Sequence, residues 1–216
     1  MNHPLKPGNF IKKIRRNLRD YGIAITLRKV TGGIFGFIYD SKVYRIYMIE
    51  LERYSPKMRH VSDFTFKLID PNDTEAIRQI ETMEEWLEGK VAEKVGKGGL
   101  CLVAMDDGIL AGFNLAVYGE VYMPLVNMKR VFRNRHAWSE QITVNKNYRG
   151  KGLGTDLRYK MFEELQLRGY KKFYGGTLSN NEANLKLTRK VGFKEIADIE
   201  YVRFLRTERR SIRRIK

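Results

Sequence analysis

The sequence predicts one α/β domain preceded by a basic helical extension, on three observations. From Phe64 to Leu205, strand-like apolar runs alternate with helix-like periodic stretches. The charge is partitioned: residues 1–62 hold 13 Lys/Arg against 4 Asp/Glu, residues 201–216 hold 7 against 1, and residues 63–200 hold 21 against 20. Late in the chain, the glycine-rich turn Arg149-Gly150-Lys151-Gly152-Leu153-Gly154 joins a strand to an amphipathic helix. A length of 216 residues suits one domain with an extension. A 43% hydrophobic content excludes a fully disordered chain, and five Pro with a single Cys exclude collagen-like and disulfide-stapled classes.

The elements follow in order. Asn9 caps a helix whose apolar residues Phe10, Ile14, Leu18, Tyr21 and Ile25 recur every three or four positions, with Lys12, Lys13, Arg15, Arg16 and Arg19 on the other faces. Thr31-Gly32-Gly33 ends it, and the aromatic run from Ile34 to Glu50 reads as a docking surface and then a strand. Ser55-Pro56 reads as a linker. Phe64 to Ile69 is a strand, Pro71-Asn72-Asp73 a helix start, and Ala76, Ile77, Ile80, Met83, Trp86 and Leu87 one helix stripe. Leu100 to Met105 and Ile109 to Val117 form a hairpin around Asp106-Asp107-Gly108. Residues 118–135 read as a loop-like insertion before a strand from Ala137 to Val144. A helix from Gly152 to Leu167, a strand from Lys172 to Thr177, a helix from Glu182 to Lys190, and closing strands Lys194 to Ile199 and Tyr201 to Leu205 complete the domain. The organisation expected is an extension over 1–62, a domain over 63–205 and a basic tail over 206–216.

The first residues lack the apolar stretch and cleavage site of a secretory signal, and no 18-residue apolar run occurs. The expected location is therefore the cytoplasm. The amphipathic basic helix suits an anionic membrane surface contacted through residues 1–30, which would make the protein peripheral at the inner face of the membrane. Nucleic acid is a weaker candidate partner, because phosphate contacts need no apolar stripe. The stripe packing on a second subunit would make a homodimer. Cys101, inside the run GGLCLVAM, reads as a small core residue.

Glycines after a strand permit positive φ and let consecutive N–H groups point into one concavity, and the helix N-terminus behind them adds roughly half a positive charge. Together they make an anion site suited to a pyrophosphate. A Rossmann site needs G-x-G-x-x-G after the first strand of a βαβ unit, whereas these glycines are spaced differently and come late. The order Val144, Arg149 to Gly154, the strand KKFYGGT, Asn181 and Val191-Gly192-Phe193 resembles the acetyl-CoA motif of the GNAT superfamily of N-acetyltransferases. The resemblance spans about residues 63–205 and includes Ala111-Gly112-Phe113 at the head of the third strand.

This resemblance implies a mixed, mostly antiparallel central sheet flanked by helices, and an acetyl-CoA-dependent N-acetyltransferase in which a primary amine attacks the thioester directly. It implies that the backbone N–H groups of Arg149, Gly150, Lys151, Gly152, Leu153 and Gly154 hold the CoA pyrophosphate. The main chain of Ile142, Thr143 and Val144 would pair with the pantetheine arm, and Asn181 would touch that arm. Asn181 also reads as a helix cap. Glu140 is the candidate base; period-2 alternation places it on the face of Ile142. The family often has a Tyr four residues before its Gly-Phe pair, where this chain has Thr188, a poor proton donor; either another group, such as Tyr174 or His136, acts instead, or the thiolate leaves without direct protonation. No metal is implied. The acceptor is a small-molecule or protein amine, and two features bear on it. Asp70, Asp73, Glu75, Glu81, Glu84, Glu85, Glu88 and Glu93 suit a cation, whereas Lys129, Arg130, Arg133 and Arg135 of the insertion suit a phosphate-bearing molecule. The alternative is a catalytically degenerate GNAT-like module recruited to an anionic membrane or RNA by its basic ends. A transferase using aminoacyl-tRNA is disfavoured by the intact glycine motif.

Overall fold

The computed structural model describes residues 39–55, 64–133 and 135–215. The expected helix from Phe10 to Ile25, and the membrane contact assigned to residues 1–30, lie outside the described residues. In chain order the elements are β1 (Tyr39–Glu50), β2 (Thr65–Ile69), α1 (Thr74–Met83), α2 (Val91–Gly96), β3 (Leu100–Asp106), β4 (Ile109–Val117), β5 (Gly119–Met123), β6 (Met128–Phe132), β7 (His136–Val144), α3 (Leu153–Leu167), β8 (Lys172–Leu178), α4 (Glu182–Lys190), β9 (Lys194–Phe204) and β10 (Thr207–Arg214). The described residues divide into two compact units, those within 43–199 together with 212–215, and 39–42 together with 200–211.

The larger unit carries the main sheet, of order β10-β9-β1-β8-β7-β4-β3-β2, counting the parts of β9 and β10 that belong to it. β2–β3, β3–β4, β4–β7 and β8–β1 pair antiparallel; β7–β8 pairs parallel. β4 is buried from Leu110 to Val117, as its unbroken apolar run requires of a strand covered on both faces. α3 buries Leu153, Leu157, Met161, Phe162 and Leu165, one helical stripe, in a core shared with Tyr47, Phe173 and Phe193. Each such side chain contributes about 1.5–3 kcal/mol by leaving water.

Several expectations are corrected. The extension assigned to 1–62 contributes β1 to the sheet, between β8 and β9. The reason lies in β8: a Cβ at Gly175 would fall 2.3 Å from the Tyr47 ring, and one at Gly176 would fall 2.3 Å from the Tyr44 ring. The two glycines leave room for tyrosines that, three residues apart on a strand, lie over opposite faces of β8. The single helix stripe to Leu87 breaks at Glu84, whose φ of −129° turns its carboxylate toward β7; Leu87 is buried by a separate short turn. The loop-like insertion is a hairpin, β5–β6, that buries Val121, Met123 and Phe132. Phe132 stacks within 5.2 Å of Trp138 and 5.4 Å of Tyr174. The closing strands expected at 194–199 and 201–205 are one strand, β9, and the basic tail is mostly β10, an edge strand whose arginines oppose edge-to-edge pairing.

In the smaller unit, Tyr201 Oη donates to Glu208 Oε1 (3.1 Å) and Ser211 Oγ to Glu200 Oε2 (3.1 Å), on either side of the turn at Leu205.

Candidate active site

β7 and β8 pair over only three positions, His136–Lys172, Ala137–Phe173 and Trp138–Tyr174. Beyond them β8 continues along β1, while β7 continues along β4. The strands part after Trp138, and the edge of β7 from residue 139 to 144 is left without a strand on its β8 side. Residues 137–139 are buried, whereas 140–144 are all partly exposed. The unpaired backbone edge is therefore open to an extended ligand.

At the outer end of this cleft lies the glycine turn. Gly150 and Gly152 have φ of +81° and +85°, a region glycine enters freely. A Cβ on either would meet nothing within 4 Å, so both border open space. Gly152 is the N-cap of α3, and the first N–H to bond back into the helix is that of Thr155, to Gly152 O (2.8 Å). The N–H groups ahead of it are the free donors that any helix start exposes, aimed with the helix dipole. Arg149 turns back, its Nε donating to Val144 O (3.2 Å), which occupies one of the main-chain groups expected to face the cleft. Lys151 lies over the Tyr148 ring at 5.5 Å.

β7 contains a β-bulge at Glu140: Leu115 pairs with Gln141 and Ala116 with Ser139, leaving Glu140 as the extra residue. The bulge breaks period-2 alternation and overturns the expectation that Glu140 and Ile142 share a face. Ile142 and Val144 pack on the α3 core. Glu140 instead accepts from Lys94 Nζ of α2 at 2.8 Å, with its side chain 10% exposed. Gln141 and Thr143 also point that way: Thr143 Oγ1 donates to Glu84 Oε1 (2.8 Å), and Gln141 Nε2 donates to Thr143 Oγ1 (2.8 Å). The bulge thus gathers three polar side chains on the α1–α2 side of the cleft.

The model of the acetyltransferase (GNAT) family matches residues 61–193. The chain belongs to the GNAT acetyltransferase family. Solved structures share the fold. A tandem GNAT protein of the clavulanic acid biosynthesis pathway matches with TM-score 0.58 at 16% identity, over 78% of this chain and 55% of its own. A GCN5-related N-acetyltransferase from Sphaerobacter thermophilus gives 0.57 at 17%, over 87% and 58%. A putative GNAT-family acetyltransferase from Novosphingobium aromaticivorans gives 0.53 at 15%, over 76% and 66%. The chain spans a little over half the length of the first two. No curated protein matches it.

Within this GNAT domain the other expected residues are placed as follows. Asn181 caps α4, its Oδ1 accepting from Asn184 N at 3.2 Å. Thr188 is 1% exposed and its hydroxyl faces Asn184 O and Leu185 O, both at 3.0 Å, so its one proton is taken within its own helix. Tyr174 and His136 stand on the paired part of β7–β8, 5.6 Å apart. Burial, then Lys172 and Lys171, push the His136 pKa down.

Tyr44 is the phenol that sequence reasoning missed. Its ring covers Gly176, on the part of β8 that has left β7, and burial, then Tyr47 and Glu140, push its pKa far up, so it keeps its proton. The Gly-Gly pair in FYGGT was the available signal, since glycines inside a strand mark close approach. Arg158 of α3 had none. It is fully buried, donates to Ser139 Oγ at 2.7 Å, lies over Phe173 and Phe193, and leaves Nε without a partner.

Three of the eight acids of the stretch are ion-paired among the described residues: Asp73 with Lys67, Glu75 with Arg78, Glu93 with Lys97. Glu84 is the member that reaches β7. Cys101 is fully buried and its thiol is pushed up to about 12 by burial. Among the described residues, no three His, Cys, Asp or Glu are grouped to hold a metal, and no helix is long and apolar enough to cross a membrane.

Proposed function

We propose that the protein transfers an acetyl group from acetyl-CoA to a primary amine. The observation that carries this reading is the open β7 edge ending on a helix start with free N–H groups. The residues fit the co-substrate: the space over Gly150 and Gly152 admits a pyrophosphate close to the backbone, and the N–H groups from Gly150 to Gly154 with the α3 dipole supply donors and charge. The free edge of residues 142–144 suits the amide groups of the pantetheine arm, less the Val144 carbonyl taken by Arg149. Bound there, acetyl-CoA supplies an activated acyl carbonyl and a thiolate leaving group.

The chain's own groups do the rest. An amine attacks only when neutral, so its ammonium proton must go to a base. Glu140 is that base. Lys94 holds Oε1 and fixes the carboxylate, and Oε2 has no partner among the described residues. Glu84, tied to Thr143, places a second carboxylate on the same side, which favours a cationic acceptor. Thr188 spends its hydroxyl within α4, and burial raises the Tyr44 pKa, which leaves that phenol a hydrogen-bond donor rather than an acid, so the thiolate leaves without direct protonation. Calorimetric titration with acetyl-CoA, followed by a thiol-release screen over an amine library, tests the reading. Saturable binding and turnover on an amine support it, and absence of acetyl-CoA binding refutes it.

A further inference from the structure

A cavity of about 450 Å³ lies at the start of β7, away from the glycine turn, lined among others by Tyr118, Arg133, Arg135, His136, Arg168 and Tyr170. His136 opens β7 and the glycine turn follows its end at Val144, so eight strand steps of about 3.3 Å separate the two by roughly 26 Å. The cavity is thus not part of the candidate acetyl-CoA cradle. A neighbouring cavity of about 300 Å³ shares Arg135 and Tyr170 and adds Lys171, which is paired with Glu52 at 2.8 Å.

Part of its charge is uncompensated. Several other cations of this unit reach a carboxylate: Arg45 with Glu195 and Asp198, Lys94 with Glu140, Lys129 with Glu120, Arg189 with Glu195. Arg133 and Arg135 have no carboxylate partner among the described residues, while Arg168 is paired with Glu164 of the preceding turn. Arg135 also has a φ of +62°, a conformation that costs a non-glycine residue energy, and its carbonyl is held by Lys171 N (2.8 Å). Like charges gathered without counter-charge on a strained turn call for an anion. Guanidinium forks suit phosphoryl oxygens in pairs. The volume falls in the range of small-molecule clefts and exceeds what one phosphate fills. The rings of Tyr118 and Tyr170, 6.3 Å between centroids, offer flat apolar surface beside the charge.

We propose that this cavity is a second anion site that takes the diphosphate group of a small organic ligand of the nucleoside diphosphate kind. The probes are inorganic pyrophosphate and uridine diphosphate, titrated by calorimetry at 150 mM salt into the full chain carrying Gly152→Asp. That substitution removes the glycine turn as a competing diphosphate site. Saturable one-to-one binding is expected, with uridine diphosphate at least threefold tighter than pyrophosphate. Adding Arg133→Gln and Arg135→Gln should weaken both at least tenfold, whereas adding Arg130→Gln, on β6 outside the cavity, should change them less than twofold. Arg133 and Arg135 are exposed and unpaired among the described residues, so the melting temperature should stay within a few degrees of the parent's, which separates lost binding from lost fold. No saturable binding, or equal loss with Arg130→Gln, overturns the site. Uridine diphosphate binding no tighter than pyrophosphate overturns the organic ligand. None of these readouts requires acetyl-CoA to bind or turn over, so they stand or fall apart from the proposed activity.

Discussion

Replacing Gly152 by Asp tests the diphosphate cradle, and its cost can be divided in advance. Gly152 has φ +85° and ψ −8°, so any side chain there sits in the left-handed region, at about 1–2 kcal/mol. No clash adds to this, because a Cβ would meet nothing within 4 Å. Gly152→Ala should therefore lose about 1–2 kcal/mol of folding stability and bind acetyl-CoA almost as the parent does. Asp bears the same backbone strain and brings a negative charge to the mouth of the cradle. Two like charges about 4 Å apart repel by about 4 kcal/mol at an effective dielectric of 20, and partial solvation at the rim lowers this to about 2–4 kcal/mol. At about 1.4 kcal/mol per tenfold, Gly152→Asp weakens acetyl-CoA by roughly 30- to 1,000-fold. Calorimetric titration of the three proteins, each with a thermal melt, measures both parts. Equal affinities for Asp and Ala variants would refute the assignment of the diphosphate to this turn.

Glu140→Gln should lower turnover on an identified amine by roughly 10²-fold or more with acetyl-CoA affinity unchanged, since the carboxylate acts on the acceptor; steady-state kinetics and calorimetry check the two halves. Gly176→Ala should destabilise by about 1–3 kcal/mol in denaturant unfolding, because the new Cβ meets Tyr44 Cε1 at 2.3 Å, and its effect should shrink in a Tyr44→Ala background. Asp198, 1% exposed, holds Arg45 at 2.8 and 3.0 Å and Arg213 at 3.3 Å, and chiefly the Arg45 hydrogen bond keeps its carboxyl below the usual range. A depressed folded pKa gives stability that is present above the unfolded value near 3.9 and lost as pH falls below it. Asp198→Asn should therefore lower stability at pH 7, and its curve should converge on the parent's as pH falls through the depressed folded pKa.

The glycine turn is legible in the sequence because its conformation is local: positive φ, a strand before and an amphipathic helix after are all written within residues 137–167. The same holds for Asn181 as a cap and for the β3–β4 hairpin. What is not legible depends on pairing across the chain. β1 joins β8 at a separation of more than 120 residues, as in the Met48–Tyr174 pair, and only the glycines opposite its tyrosines hint at it. The bulge at Glu140 has no local signature, since QITV alternates as well as any strand, yet it decides which face the carboxylate takes. The β5–β6 hairpin is hidden by its charged residues Lys129, Arg130 and Glu120, which outweigh the period-2 signal of Val121 and Met123. Arg158 is hidden because an arginine on a helix reads as a solvated residue until the sheet covers it.

The central claim is that acetyl-CoA lies along the free edge of β7 with its diphosphate on the glycine turn. Amide hydrogen exchange on the full chain, with and without saturating acetyl-CoA, reads this directly. The predicted result is slowed exchange at residues 142–144 and 150–154. Protection confined to the second cavity, or saturable binding that leaves residues 150–154 unprotected, would contradict it.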